Sequence, residues 1–154
     1  MTGSRTAAIR QAAPAPTHQA LPAELTTKDE IDGQASVCVV DDNDLVRQSM
    51  TTLLETQGFA VLSYASGAQF LGDVRRLKAK CLIVDHHMPG LNGLDVLAAL
   101  RRERASLPAI LITGRLDLEI TQRARELGVQ AVLEKPFRAA GLVGLIRSAL
   151  DLRG

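Results

Sequence analysis

Five residues able to do chemistry occur in four places, each just past a short apolar run: Asp41 with Asp42, then Asp85, Thr113 and Lys135. Three carboxylates brought together repel, and their pKa values rise unless a cation offsets the repulsion. The donors are all oxygen, with no Cys/His cluster to compete. The fitting cation is therefore a hard one, Mg²⁺, which keeps several waters and uses few protein carboxylates. A threonine hydroxyl and a lysine ammonium at the same edge add a donor and a positive charge. Such a set suits a tetrahedral dianion: cation and ammonium neutralise equatorial oxygens while one carboxylate stands in line as nucleophile.

Positioning them requires a scaffold, and one is written into residues 36–152 as apolar runs alternating with helix-period segments. The spacing predicts strands over 37–40, Ala60–Tyr64, 81–84, 109–112 and 129–133. Between them, helical spacing joins Val46, Met50, Leu53 and Leu54 up to a stop at Gly58, and Phe70, Leu71, Val74 and Leu77 behind a Ser66 cap. Leu94, Leu97, Ala98 and Leu100 mark a third helix; Leu116, Ile120, Ala124 and Leu127 a fourth, ended by Gly128; Leu142, Leu145, Ile146 and Ala149 a fifth. Strict strand–helix alternation with continuous apolar strands predicts a doubly wound α/β fold with a five-stranded parallel sheet and right-handed crossovers. Ligands of such a fold sit beyond the carboxyl ends of its strands, where all five polar residues fall.

Composition narrows the field further. The 154 residues are 46% hydrophobic and 23% charged with a formal charge of +1, the profile of a globular protein without the basic excess of a nucleic-acid binder. Two cysteines, Cys38 and Cys81, cannot make a disulfide framework and read as small buried hydrophobes. Neither a membrane span nor a secretory signal is written in the chain, so a cytoplasmic location is expected. Residues 1–35 hold three of the six prolines and few large aliphatics. They read as a flexible extension, with a short stretch at 25–31 able to form a docking turn.

At its polar strand ends the sequence resembles the receiver domain of bacterial two-component response regulators. The matching stretches are Val39-Val40-Asp41-Asp42-Asn43, Val84-Asp85-His86-His87-Met88-Pro89-Gly90-Leu91-Asn92-Gly93, Ile112-Thr113-Gly114 and Glu134-Lys135-Pro136-Phe137. Asp42, Asp85, Thr113 and Lys135 follow one another at intervals of 43, 28 and 22 residues, close to the family's spacing. The resemblance implies a flavodoxin-like (βα)5 fold. It makes Asp85 the phosphoacceptor for a partner sensor histidine kinase, and Mg²⁺ the cofactor, held by Asp41, Asp42, Asp85 and the backbone carbonyl of His87. It also has Lys135 pairing with Asp85 and then with the phosphoryl group, Thr113 moving toward that group after transfer, and a cis Lys135–Pro136 bond. Pro89, Gly90 and Gly93 are read as shaping the loop so that Asp85 stays exposed.

Two positions depart from the family pattern. Val132 stands where the family carries an aromatic, three residues before the lysine, and a stiff valine cannot act as its switch. His87 and Arg115, two residues past Asp85 and Thr113, flank the expected path of the hydrolytic water; a long-lived phospho-aspartate is expected. Only four residues follow Leu150. The expected protein is thus a stand-alone, single-domain regulator signalling by protein contact, homodimerisation or relay to a phosphotransfer domain, with no nucleic-acid or membrane partner. The alternatives are a receiver-like interaction module that works without phosphorylation, and a flavin binder of the same topology. A first loop of Asp-Asp-Asn-Asp and 3% aromatics without Trp argue against the second.

Overall fold

A computed structural model describes residues 36–75, 77–103 and 106–153. The expectations for residues 1–35, including the turn at 25–31, lie outside these. Along the chain run β1 (Ser36–Val40), α1 (Asp44–Thr56), β2 (Ala60–Tyr64), α2 (Gly67–Asp73), β3 (Cys81–Asp85), α3 (Gly93–Glu103), β4 (Ala109–Thr113), α4 (Leu118–Glu126), β5 (Ala131–Glu134) and α5 (Ala139–Arg153). All strand pairs are parallel, in the order β2-β1-β3-β4-β5. The expected doubly wound five-stranded α/β fold is the one observed.

The strands' two-residue period sorts their side chains onto opposite faces. On one face Cys38, Val40, Leu82, Val84 and Leu111 pack beneath Phe70, Val96, Leu97, Leu100 and Ile120 of α2–α4. On the other, Val37, Val39, Cys81, Ile83, Ile110 and Ile112 meet Met50 and Leu54 of α1 and Leu142 and Ile146 of α5. β1, β3 and β4 are buried throughout, whereas the edge strands β2 and β5 are only half covered. Cys38 and Cys81 are thiols buried on opposite faces, and burial pushes the Cys81 pKa up to about 12. They are the small hydrophobes expected.

Local chemistry sets the helix ends. Asn43, Ser66 and Asp117 each accept from the backbone N–H three residues on, capping α1, α2 and α4. Asn92 and Asp95 exchange backbone-to-side-chain bonds at the start of α3, a reciprocal capping box. Gly58 and Gly128 take the left-handed conformation that closes α1 and α4. Several boundaries differ from expectation, three of them at buried or capping residues. α2 stops at Asp73, leaving Leu77 buried in the following loop. Leu116 precedes α4, because Asp117 is the cap, and stays 43% exposed. β5 starts at 131 rather than 129 because the Val129 N–H closes the end of α4 on Ala124 O.

Gly93 begins α3 directly behind the reactive edge. A Cβ there would meet the carbonyl oxygen of Asp85 and the Cα of His86 at 2.8 Å, both backbone atoms that cannot swing away. Gly93→Ala is expected to lower stability by about 1–3 kcal/mol. Gly72→Ala, in α2 with nothing within 4 Å of the added carbon, should leave stability unchanged or raise it by up to about 1 kcal/mol. Urea unfolding of both variants checks this.

Candidate functional site

The strand order reverses between β1 and β3, which are neighbours through Val40↔Val84. The next residues of both strands are carboxylates, Asp41 and Asp85, and Asp42 follows. Across the sheet Asp85 pairs with Ile112 and Thr113 pairs with Glu134, which puts Lys135 one residue past the end of β5. The sheet register alone therefore brings the four predicted places to one edge.

Their geometry is tight. Carboxylate oxygens of Asp41, Asp42 and Asp85 lie within 4.8 Å of one another. Lys135 Nζ stands 2.9 Å from Asp85 Oδ1. That approach is an ion pair without the angles of a hydrogen bond, for Asp85 Oδ1 is buried and, among the described residues, lacks a hydrogen-bond partner. The carboxyl of Asp85 is 4% exposed, so the expectation that its loop leaves it exposed is corrected: β3 runs through Asp85 and α3 closes behind it at Gly93. Asp41 is also buried, while Asp42 is open to solvent. Burial lifts the Asp41 pKa above the ordinary carboxylate value; the Asn43 N–H bond to Oδ1 opposes this, and the Asp85 charge reinforces it. The Lys135–Pro136 bond is cis.

Two supporting contacts escaped the sequence reading. Arg47, one turn into α1, donates to the Asp41 carbonyl at 2.7 Å and pairs with Asp44 at 2.5 Å, tying the acidic loop to its helix. An acid at i and an arginine at i+3 is visible in sequence; the reach back to a carbonyl six residues away is not. The His87 ring is the second: its Nε2 lies 3.2 Å from the buried Thr113 hydroxyl, which also exchanges bonds with the Arg115 backbone. The sequence marks His87 for its carbonyl and its place beside the water path, and gives no sign of this ring contact.

These residues fit a hard cation. Three clustered carboxylates of one sign, one with a buried oxygen lacking a hydrogen bond, make an all-oxygen site whose repulsion a divalent ion relieves.

A family model described as the response regulator receiver domain matches residues 37–147. The chain belongs to that family. It is 39% identical over 114 residues to the transcriptional regulatory protein FixJ of Azorhizobium caulinodans, covering 74% of this chain and 54% of the relative. It is 34% identical over 131 residues to the response regulator protein TmoT of Ectopseudomonas mendocina, covering 85% and 60%. It thus spans a little over half the length of these curated relatives. Among solved structures it is similar to full-length FixJ from B. japonicum, with TM-score 0.71 and 32% identity over 76% of this chain and 58% of that one. A CheY-like receiver domain protein from Methanospirillum hungatei, 23% identical, shares the fold with TM-score 0.75 over 78% and 96%. No helix among the described residues is long and apolar enough to cross a membrane.

The raised Asp41 pKa fixes the sign of a pH effect. In the fold its carboxyl prefers the proton, so stability falls as pH rises from the ordinary carboxylate value through the raised one, and a bound cation recovers it. Added Mg²⁺ should therefore raise the melting temperature of this receiver domain at neutral pH, with the gain shrinking as pH drops through that window. Asp42→Asn should remove most of the gain. Thermal melts with Mg²⁺ and with a chelator across pH check both.

Proposed function

We propose that this receiver domain accepts a phosphoryl group on Asp85 from the phosphohistidine of a sensor kinase, and signals through the contacts that this changes. The observation that carries the reading is Asp85 itself: a buried carboxylate against Lys135, beside two further acids. Asp85 oxygen attacks phosphorus as the P–N bond to the kinase imidazole breaks, and the imidazole leaves and takes up a proton. Asp41, Asp42, Asp85 and the His87 carbonyl would hold Mg²⁺, which when bound neutralises phosphoryl oxygens. Lys135 exchanges its carboxylate partner for the new phosphoryl charge, and the Thr113 hydroxyl supplies a donor. The domain thus takes part in catalysing its own modification.

The kinase, or a phosphotransfer domain, is proposed to seat on α1 and the loop after Lys135. There Leu45 is 75% exposed and a groove of about 370 Å³ is lined by Val46, Met50, Phe137 and Leu142. Output is proposed through protein contacts of the α4–β5–α5 face, homodimerisation included, in the cytoplasm and without direct nucleic-acid contact by these residues. Their near-neutral charge supports the last point. The chain spans a little over half the length of the relatives named above, and the single-domain reading is ours.

Intact-mass measurement after acetyl phosphate and Mg²⁺ tests the reading. Wild type is expected to gain one phosphoryl group, Asp85→Asn none, and Lys135→Ala to label more slowly by at least about tenfold. The wild-type adduct is expected to outlast minutes, because His87 and Arg115 flank the acceptor. No mass gain in wild type, or an equal gain in Asp85→Asn, would overturn the assignment. Leu45→Asp should spare labelling by acetyl phosphate and slow labelling by a kinase.

A further inference from the structure

The Thr113 hydroxyl is wholly buried and held from two loops. From its own loop, it donates to Arg115 O at 3.0 Å and accepts from Arg115 N–H at 3.2 Å. Those bonds reach backbone two residues on and are available to any threonine in such a turn. The third partner is different in kind. His87 Nε2, 3.2 Å away, comes from the loop after β3 and is a side chain. A hydroxyl has one proton, so when that proton goes to Arg115 O the ring must supply the Nε2–H.

The ring's place is set from two sides. A Cβ at Gly114 would sit 4.0 Å from His87 Cδ2, so the imidazole lies along the turn that carries Thr113. The half-buried His86 ring meets it edge-on, with centroids 4.9 Å apart at 66°. His87 itself is exposed, with water as an alternative partner. On the receiver reading, the Thr113 hydroxyl leaves this network to reach a phosphoryl group on Asp85. The Arg115 bonds break in any variant that keeps threonine, but the ring bond depends on one residue.

We infer that His87 is a positioning residue: its ring latches Thr113 in the resting orientation and so sets how readily the domain takes up a phosphoryl group. This rests on the receiver reading above and adds a role for a side chain that the reading does not use. Removing one net hydrogen bond from the resting state should shift the balance toward the phosphoryl-ready orientation by about three- to tenfold. Glutamine keeps an N–H donor at the reach of Nε2, whereas alanine keeps nothing.

The experiment compares wild type, His87→Ala, His87→Gln, Thr113→Ala and the double variant His87→Ala/Thr113→Ala. The readouts are the rate of phosphorylation by acetyl phosphate with Mg²⁺ and half-saturation by beryllofluoride. His87→Ala is expected to label faster and bind beryllofluoride more tightly, both by about three- to tenfold, with His87→Gln near wild type. In the Thr113→Ala background the histidine change should have no effect, a coupling that a merely structural role would not show. An unchanged or slower His87→Ala, a His87→Gln that matches it, or the same acceleration without Thr113 would each overturn the latch.

Labelling of wild type with none of these differences overturns the latch alone; no labelling of wild type overturns the receiver reading. The contact has its own readout, independent of phosphorylation. In ¹⁵N spectra of the resting protein Thr113→Val should move the His87 ring-nitrogen resonances, and an unmoved ring would also overturn the latch.

Discussion

Like charges held at close range govern this sheet edge. Asp41 and Asp85, both nearly dry, bring oxygens within 4.8 Å of each other and of Asp42. Repulsion between two such charges is on the order of 3 kcal/mol at the effective dielectric of a protein surface. Nothing in the loops favours this crowding. It is imposed by β1 and β3 pairing in the middle of the sheet, where the two apolar layers anchor both strands. Lys135, 2.9 Å from Asp85, offsets part of the repulsion, while burial first and the neighbouring charges second hold the Asp41 pKa above the ordinary carboxylate value. A site strained in this way responds strongly to whatever changes its charge, whether a divalent ion or a phosphoryl group.

That stored repulsion would relax if the loops could move apart, so the surrounding contacts have to resist. Arg47 grips the Asp41 carbonyl from α1, and Asn43 both caps that helix and donates its N–H to the Asp41 side chain. On the other side the capping box of Asn92 and Asp95 fixes the start of α3, and Gly93 allows that helix to press against the backbone of Asp85. Further from the site, Arg101 donates to the carbonyls of Leu107 and Leu127, joining the end of α3 to the entry of β4 and the end of α4. The helix ends are thus braced to the strands whose tips carry the chemistry.

How much of this could be read from sequence follows from which interactions have a period. Apolar runs of Val, Ile and Leu at 37–40, 81–84 and 109–112 announce buried parallel strands, and the polar residue after each announces the edge where ligands bind. The Asp41, Asp42, Asp85, Thr113 and Lys135 set was legible for that reason. Contacts between loops have no such period. The reach of Arg47 to a carbonyl, the His87 ring on Thr113 and the carbonyl clamp of Arg101 depend on three-dimensional approach. Burial of Asp85 is hidden for a related reason: a Pro-Gly loop reads as open, but Gly93 lets the following helix press against the strand end. The short α2 shows the limit of periodicity, since Leu77 fits the helical spacing yet is buried from a loop.

Val132 bears on how charge at the edge becomes a message on the surface. It is half-buried on β5 beside a cleft of about 290 Å³ that Leu116, Thr121, Arg125 and Val129 also line. An aromatic there could swing into such a space; a β-branched valine has one stiff torsion and no length to fill it. If Asp85 is phosphorylated as proposed, the route outward would run through the main chain bonded to Thr113, the turn carrying Gly114, Arg115 and Leu116 into α4. That turn is held at one end by the Thr113 hydroxyl and at the other by the Leu116 N–H on Glu134. A hydroxyl leaving for a phosphoryl oxygen frees the first tether while the second persists, so the turn would pivot about Glu134 and carry the exposed Leu116 and Leu118 with it. On the proposed phosphorylation, the moving part would be a tethered loop rather than a ring, and the side chains it displaces would be aliphatic.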